Sequence, residues 1–143
     1  MTLAPGEQTR DDADDRGRST SDGSARQEET LRQARRLRRS LGHSDAPLPA
    51  TVRAARLGSV GLVGLPGEPF LGLRSRAVET LGGEQVLLLG YVGGYVGYLP
   101  TREAFAGEPT YETVISAVAA GEPERLVDTG TGLLSLLGQN SAS

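Results

Sequence analysis

The sequence predicts an α/β fold, in which a small β-hairpin and a βαβ unit are flanked by helices and preceded by a disordered N-terminal leader. Residues 1–27 contain almost no large apolar side chain after Leu3, so they do not bury enough surface to offset the entropy of ordering. Alternating residues surround a Gly58-Ser59 turn, which is typical of a hairpin. Beyond it, a strand, an amphipathic helix and an apolar run at 86–89 predict a right-handed crossover between parallel strands.

The 143 residues of the chain are enough for one modest domain. We expect residues 1–27 to form the leader, residues 28–138 a partial α/β domain, and residues 139–143 a disordered tail. The absence of cysteine excludes a disulfide framework and a thiolate nucleophile. The sequence has no apolar segment typical of a signal peptide and no run of the ~20 apolar residues that a membrane span needs, so a cytoplasmic protein is expected.

The first predicted helix extends from Glu28 to Leu41 and ends at Gly42. One face is apolar, and the other carries Arg32, Arg35, Arg36, Arg38 and Arg39. This basic face has two interpretations, a patch for nucleic acid or acidic lipid and the solvated side of an amphipathic helix. The second is favoured, and no nucleic-acid partner is expected, because no aromatic residue interleaves the arginines and the net charge of the chain is −3.

The βαβ unit is predicted from its turn residues and its apolar pattern. Pro69 lies near the expected first position of the helix, and Gly82-Gly83 ends it. The apolar stripe of this helix consists of Phe70, Leu73, Ala77, Val78 and Leu81. The next strand, within 85–92, is continuously apolar, which predicts that both of its faces are covered.

The remaining chain is predicted to be mostly helical. A short helical turn is expected at 101–105, an extended segment at 111–119, and a final helix at 122–137. Gly130 and Gly132 are expected to weaken that helix.

Two loops leave the predicted parallel strands at the same edge of the sheet, where ligands bind in open α/β folds. The first loop carries Glu68, and the second carries Tyr95 and Tyr98, so the carboxylate is expected to face one of these phenols. Each also has a structural explanation, since an acid stabilises a helix N-terminus and tyrosines often lie at a rim. The glycines between 90 and 97 serve either close backbone approach or tight turns.

Both loops resemble signatures of the neutral/alkaline, non-lysosomal ceramidase family. The stretch 62–70 resembles its Pro-Gly-Glu signature, and 90–101 resembles its second signature. Residues 103–105 and 111–112 continue the match. The resemblance covers about residues 28–137 and corresponds only to the C-terminal end of the family's catalytic domain.

The resemblance implies zinc as the cofactor, held in that family by two histidines, a glutamate and a tyrosine, and hydrolysis of the N-acyl amide of ceramide. By position, Glu68 and Tyr98 match the two oxygen ligands of the metal. The histidines and the serine of the family lie upstream of the segment that this chain resembles, and the one histidine here, His43, lies in a predicted linker. No catalytic residue is therefore assigned. Gly93 stands where the family usually has asparagine.

These expectations define a truncated or split segment of a ceramidase-like zinc amidohydrolase that is inactive alone. Zinc is not expected to bind tightly to two oxygen ligands without nitrogen donors. A separate upstream half carrying the histidines is the expected partner, and a lipid amide is the substrate only when that half is present. The alternative is a non-catalytic interaction module, or pseudoenzyme remnant, that keeps the α/β scaffold.

Overall fold

The computed structural model describes residues 12–40 and 48–140. Its helices are α1 (Asp12–Ser40), α2 (Leu71–Thr80), α3 (Arg102–Ala106), α4 (Tyr111–Ile115) and α5 (Glu122–Asn140). Its strands are β1 (Arg53–Leu57), β2 (Val60–Gly64), β3 (Glu68–Pro69), β4 (Val86–Leu89) and β5 (Tyr98–Leu99). The predicted α/β class is confirmed.

Strands β1, β2 and β4 form a three-stranded sheet in the order β1-β2-β4. The hairpin prediction is confirmed, since β1 and β2 pair antiparallel around Gly58, whose φ of +58° suits a tight turn. The predicted parallel pairing is also confirmed, because β2 and β4 run parallel and α2 lies between them in the chain. A second, two-stranded parallel sheet joins β3 to β5 just beyond the ends of β2 and β4.

The core lies on one face of the larger sheet, under α2 and α5. Its buried members are Val63, Leu65, Leu73, Ala77, Val86, Leu99, Val127 and Leu134. The predicted stripe of α2 therefore supplies two buried side chains. Helix α2 begins at Leu71 rather than at Pro69, because Pro69 is paired in β3 and Phe70 is the half-buried N-cap residue.

The prediction that both faces of β4 are covered is wrong. Its side chains alternate between the core and the surface: Val86 is buried, whereas Leu87 is 50% exposed and Leu89 is 41% exposed. A run of apolar residues looks the same in the sequence whether one face or both faces of the strand are covered. The described helices that pack on the sheet cover only the face that carries Val63 and Val86.

The extended segment predicted at 111–119 is also wrong over its first part, which forms α4. The Thr110 side chain accepts a hydrogen bond from the Thr113 backbone, and the Thr113 side chain accepts one from the Thr110 backbone. This reciprocal capping stabilises the first turn and overrides the preference of β-branched residues for strands. The helical turn predicted at 101–105 is confirmed as α3, whose N-cap is Thr101.

Helix α1 begins earlier than the sequence predicts. The predicted leader spans residues 1–27, of which 1–11 lie outside the described residues and 12–27 are helical. The helix packs on the rest of the protein through Ala34, which is fully buried, while residues 23–30 are exposed. Backbone hydrogen bonding, rather than packing, therefore has to stabilise the exposed stretch.

Two further sequence predictions fall partly outside the described residues. The linker with His43 lies largely within 41–47. Of the predicted tail 139–143, residues 139 and 140 end α5, and 141–143 lie outside the described residues. Within 12–40 and 48–140, no helix is long and apolar enough to cross a membrane.

Gly130 and Gly132 of α5 have different environments. Gly130 is buried, and a Cβ added there would overlap Cγ1 of Val63 in β2, so this glycine lets the helix approach the sheet closely. Gly132 is exposed, and a Cβ there would meet nothing within 4 Å. Only Gly132 simply weakens the helix.

Exchanging each glycine for alanine tests this packing. We expect Gly130→Ala to lower the free energy of unfolding by ~1–3 kcal/mol, because buried Val63 has to move. Its matched control, Gly132→Ala, should raise the free energy of unfolding by up to ~1 kcal/mol through helix propensity. Urea denaturation of both variants measures the difference, and equal effects would contradict the close approach of α5 to β2.

Candidate functional site

The candidate site lies where the loop after β2 meets the loop after β4. Backbone hydrogen bonds join the two loops along their length. From the first loop, the amide of Leu65 donates to the carbonyl of Leu89, that of Glu68 to Gly97 and that of Phe70 to Leu99. From the second loop, the amide of Tyr91 donates to the carbonyl of Gly67, that of Val92 to Leu65 and that of Val96 to Pro66. Their donor–acceptor distances lie between 2.7 Å, for Val96, and 3.1 Å, for Phe70. The two loops therefore form one backbone lattice, defined here as residues 65–70 together with 89–99.

Close approach of the two backbones explains two of the glycines. A Cβ on Gly67 would overlap the carbonyl oxygen of Gly97, and a Cβ on Gly90 would lie 2.7 Å from the carbonyl oxygen of Gly67. No other residue fits at these positions without moving backbone. Tight turns explain others, since Gly93 and Gly97 have φ values of +79° and +89°. Both roles left open by the sequence are therefore present.

The lattice places Glu68 directly opposite Tyr98. The two residues are register partners in the parallel pair of β3 and β5. The sequence predicted them on loops at the ends of β2 and β4, and the structure holds them in a short second sheet just beyond those ends. The Cα positions of the two residues are thus set by main-chain pairing.

A phenol other than Tyr98 donates to the carboxylate. The hydroxyl of Tyr95 donates a 2.5 Å hydrogen bond to Oε1 of Glu68. The ring of Tyr95 stacks on that of Tyr91, with centroids 5.5 Å apart and planes within 2° of parallel. Both rings are largely in solvent, with Tyr91 65% and Tyr95 60% exposed. Tyr98 is half-buried and meets the ring of Tyr111 edge-to-face at 6.3 Å.

Glu68 raises the pKa of three tyrosines. The hydrogen bond from Tyr95, together with desolvation and the carboxylate charge, raises the pKa of Tyr95 to about 12. Desolvation first, and then hydrogen bonding to Glu68 and its charge, raises the pKa of Tyr91. Desolvation, followed by the charges of Glu68 and Glu112, raises the pKa of Tyr98. All three side chains are therefore neutral phenols at neutral pH.

Tyr91 is the residue that sequence analysis missed. Its φ of +58° lies in the left-handed region, which costs a non-glycine residue ~1–2 kcal/mol. The hydrogen bond from its amide to the Gly67 carbonyl holds it in this conformation. Strained residues are concentrated at functional sites. A left-handed tyrosine has no signature in the sequence.

The position of Gly93 also bears on the resemblance. With φ at +79°, this residue has the conformation that asparagine, after glycine, adopts most readily. A Cβ here would lie 3.2 Å from the Thr51 carbonyl oxygen and 3.3 Å from Nε of Arg53. An asparagine here would therefore extend toward the Thr51 carbonyl, just before β1, and the Arg53 side chain, at the start of β1.

The described residues do not by themselves fit a zinc ion. Within 12–40 and 48–140, no group of three or more histidine, cysteine, aspartate or glutamate side chains is placed to hold a metal. The predicted ligands Glu68 and Tyr98 offer two oxygen donors, and one carboxylate oxygen is already bonded to Tyr95. Structural and catalytic zinc sites use three or four ligands and usually include nitrogen or sulfur. The assignment of these two residues as metal ligands stays a prediction.

Comparison with known proteins gives one distant similarity. No protein-family model matches the chain, and no curated protein matches it. Among solved structures, a neutral ceramidase from Pseudomonas aeruginosa is similar with a TM-score of 0.45 and 24% sequence identity. The similarity covers 57% of this chain and 15% of that chain. This chain therefore matches only a small part of the length of that protein.

Titration of the tyrosines tests the site electrostatics. We expect the Cζ resonance of Tyr95 to titrate at about pH 12, and Glu68→Gln to lower this pKa toward 10 by removing the charged acceptor. Because the pKa is raised on folding, the interaction stabilises the protein below pH 10, and this contribution is lost as the pH rises through about 12. Glu79→Gln, on the exposed surface of α2, is the control and should leave Tyr95 unchanged. An unchanged Tyr95 in Glu68→Gln would refute the hydrogen bond.

Proposed function

We propose that this chain contributes Glu68 and Tyr98 to the metal site of a ceramidase-like amidohydrolase and is inactive without a second, histidine-bearing half. The observation that carries the proposal is the register pairing of Glu68 with Tyr98 across β3 and β5. These two residues occupy the two sequence stretches that resemble ceramidase signatures. Two motifs that are 30 residues apart in the chain thereby become neighbours.

The lattice supports this proposal because it suits a site that must keep its ligands in place. Both residues lie on backbone that is bonded to the opposite loop, so their Cα positions are set by main-chain geometry. The Tyr95 hydroxyl orients the Glu68 carboxylate, as outer hydrogen bonds orient metal ligands elsewhere. Because the backbone that carries these two residues is already ordered, little further rearrangement is needed when the other ligands bind.

Zinc, when bound by a complete ligand set, polarises an amide carbonyl or activates a water. The described residues of this chain hold too few donors for that set, so no hydrolytic step is assigned to them. Their part is to supply oxygen donors at a fixed position. The N-acyl amide of a sphingolipid is the substrate that the family resemblance implies for the completed enzyme.

The open face of the sheet is consistent with a missing half. Leu87 and Leu89 lie on the face opposite α2 and α5, and Leu57, at the end of β1, is 73% exposed. The register places Ala55, Leu62 and Leu87 in one row across this face. Apolar rows of this kind are usually covered by another layer of structure. A histidine-bearing half packed there would cover this apolar face and also reach the sheet edge that carries Glu68.

The second candidate is a non-catalytic interaction module. The observation that favours it is the engagement of Glu68, because a carboxylate that accepts a 2.5 Å hydrogen bond from Tyr95 has its own structural partner. In this case the stacked, exposed Tyr91 and Tyr95 form a contact surface for a protein partner, and the metal chemistry is absent.

Zinc titration and hydrolysis assays separate the two candidates. We expect the chain alone to bind zinc weakly in calorimetry and to show no hydrolysis of N-acyl-sphingosine, because two oxygen donors neither complete nor select a zinc site. Adding a histidine-bearing ceramidase-like half should produce turnover. Glu68→Gln and Tyr98→Phe should each lower that turnover by at least ~100-fold, whereas Glu79→Gln, on α2, should leave it unchanged.

The remaining outcomes decide against one or the other part of the proposal. Tight zinc binding with turnover by the chain alone, both abolished by Glu68→Ala, would show that the site is complete here. If Glu68→Gln leaves the turnover of the mixture unchanged, the assignment of Glu68 as a ligand is refuted. A stable complex of the two halves without turnover would favour the interaction module.

A further inference from the structure

We propose that a cleft between α1 and the α3–α4 segment binds a small amphiphilic anion, in which a carboxylate or phosphate group is joined to an alkyl chain. This cleft, called the arginine cleft below, has a volume of about 530 Å³. It is lined by Arg35, Arg38, Arg39, Phe105, Gly107, Pro109, Thr113 and Val114. None of these residues belongs to the proposed metal site, so the inference is independent of the proposed function.

Among the described residues that line the cleft, the charged side chains are all positive. Three arginines and no carboxylate are in this described lining, in a chain whose net charge is −3. A second cleft of about 440 Å³, on α2, differs in this respect, since its Arg76 is accompanied by Glu79, Glu103 and Glu124. Some arginines outside the cleft pair with acids, as Arg76 does with Asp128 and Arg56 with Glu84. The positive charge that Arg35 and Arg39 bring to the arginine cleft therefore favours an anionic ligand.

The three arginines do not have the same role. Nη1 of Arg38 donates a 2.9 Å hydrogen bond to the carbonyl of Val114, near the C-terminal end of α4. This bond joins α1 to α4 and forms the base of the cleft. Their four-residue spacing puts Arg35 and Arg39 on the same side of α1, and Nε of Arg39 donates to the backbone carbonyl of Arg35 at 3.3 Å. Arg35 and Arg39 are then placed to bind an anion together.

The other wall of the cleft is apolar. Phe105 and Val114 are half-buried, and Pro109 adds an exposed ring beside them. Guanidinium groups bind carboxylate and phosphate oxygens with two parallel hydrogen bonds, and apolar surface favours an attached alkyl chain. A volume of this size falls within the range of small-molecule sites. The two walls together match a ligand with one charged end and one apolar end.

A structural explanation accounts for only part of this arrangement. Basic residues in the last turn of a helix interact favourably with its dipole, which explains Arg38 and Arg39. Arg35 lies a turn earlier, and the dipole gives no reason for an apolar wall opposite it. Nucleic acid fits less well, because the described lining of the cleft includes no exposed aromatic ring for base stacking.

Calorimetric titration of the full chain with decanoate and with decyl phosphate, both below micelle-forming concentrations, tests the proposal. We expect saturable binding of at least one of them, and the stronger of the two identifies the preferred head group. Affinity should fall by at least ~10-fold in Arg35→Gln/Arg39→Gln, which corresponds to ~1.4 kcal/mol. Arg36→Gln/Arg74→Gln removes the same charge from exposed positions outside the cleft and should bind as the wild type does.

Further titrations test each half of the ligand. Inorganic phosphate and acetate should bind at least ~10-fold more weakly than their decyl counterparts, because they cannot use the apolar wall. Decyltrimethylammonium should not bind. The proposal is overturned if neither decyl anion binds, if the cation binds equally well, or if both double variants lose affinity equally. It is also overturned if binding is seen only with anionic lipid vesicles or with an oligonucleotide, which would indicate a surface patch instead.

Discussion

The structure depends on the close approach of two backbones, at Gly67 and Gly90. Each lacks a side chain where the opposite loop passes, and the carbonyl of Gly67 accepts the amide of Tyr91 within that contact. Any larger side chain would separate the loops and break the hydrogen bonds between them. The pairing of β3 with β5, and with it the position of Glu68, follows from this constraint.

One carboxylate then organises the surrounding phenols. Glu68 accepts the Tyr95 hydroxyl, and this hydrogen bond raises the pKa of Tyr95. Desolvation, followed by interaction with Glu68, raises the pKa of Tyr91 and of Tyr98. Each of these effects needs the side chains within a few ångströms, so all of them depend on the lattice. A bound cation would instead lower the pKa of these tyrosines, because positive charge favours the phenolate. The same residues therefore suit either a metal shell completed by other ligands or a neutral contact surface.

The sequence predicted those features that depend on local pattern. The hairpin followed from alternation around Gly58, and the parallel crossover followed from element order. The exposed face of β4 was not predictable, because the pattern of Leu87 and Leu89 does not show which layers cover a strand. Helix α4 was missed because its capping by Thr110 depends on two reciprocal hydrogen bonds rather than on periodicity. In the site, topology brought Glu68 near the tyrosines, but the left-handed backbone that positions Tyr91 is a tertiary effect.

The most direct test of the account is the amide hydrogen exchange of the lattice, measured residue by residue by NMR. If the two loops are joined as described, the amides of Glu68, Phe70 and Val96 exchange as slowly as that of Leu65, which bonds to Leu89 of the larger sheet. Exposed loop amides at the β1–β2 turn provide the fast reference. Exchange of Glu68 and Val96 at the rate of that turn, with Leu65 still protected, would show that the sheet forms without the lattice and would contradict the account.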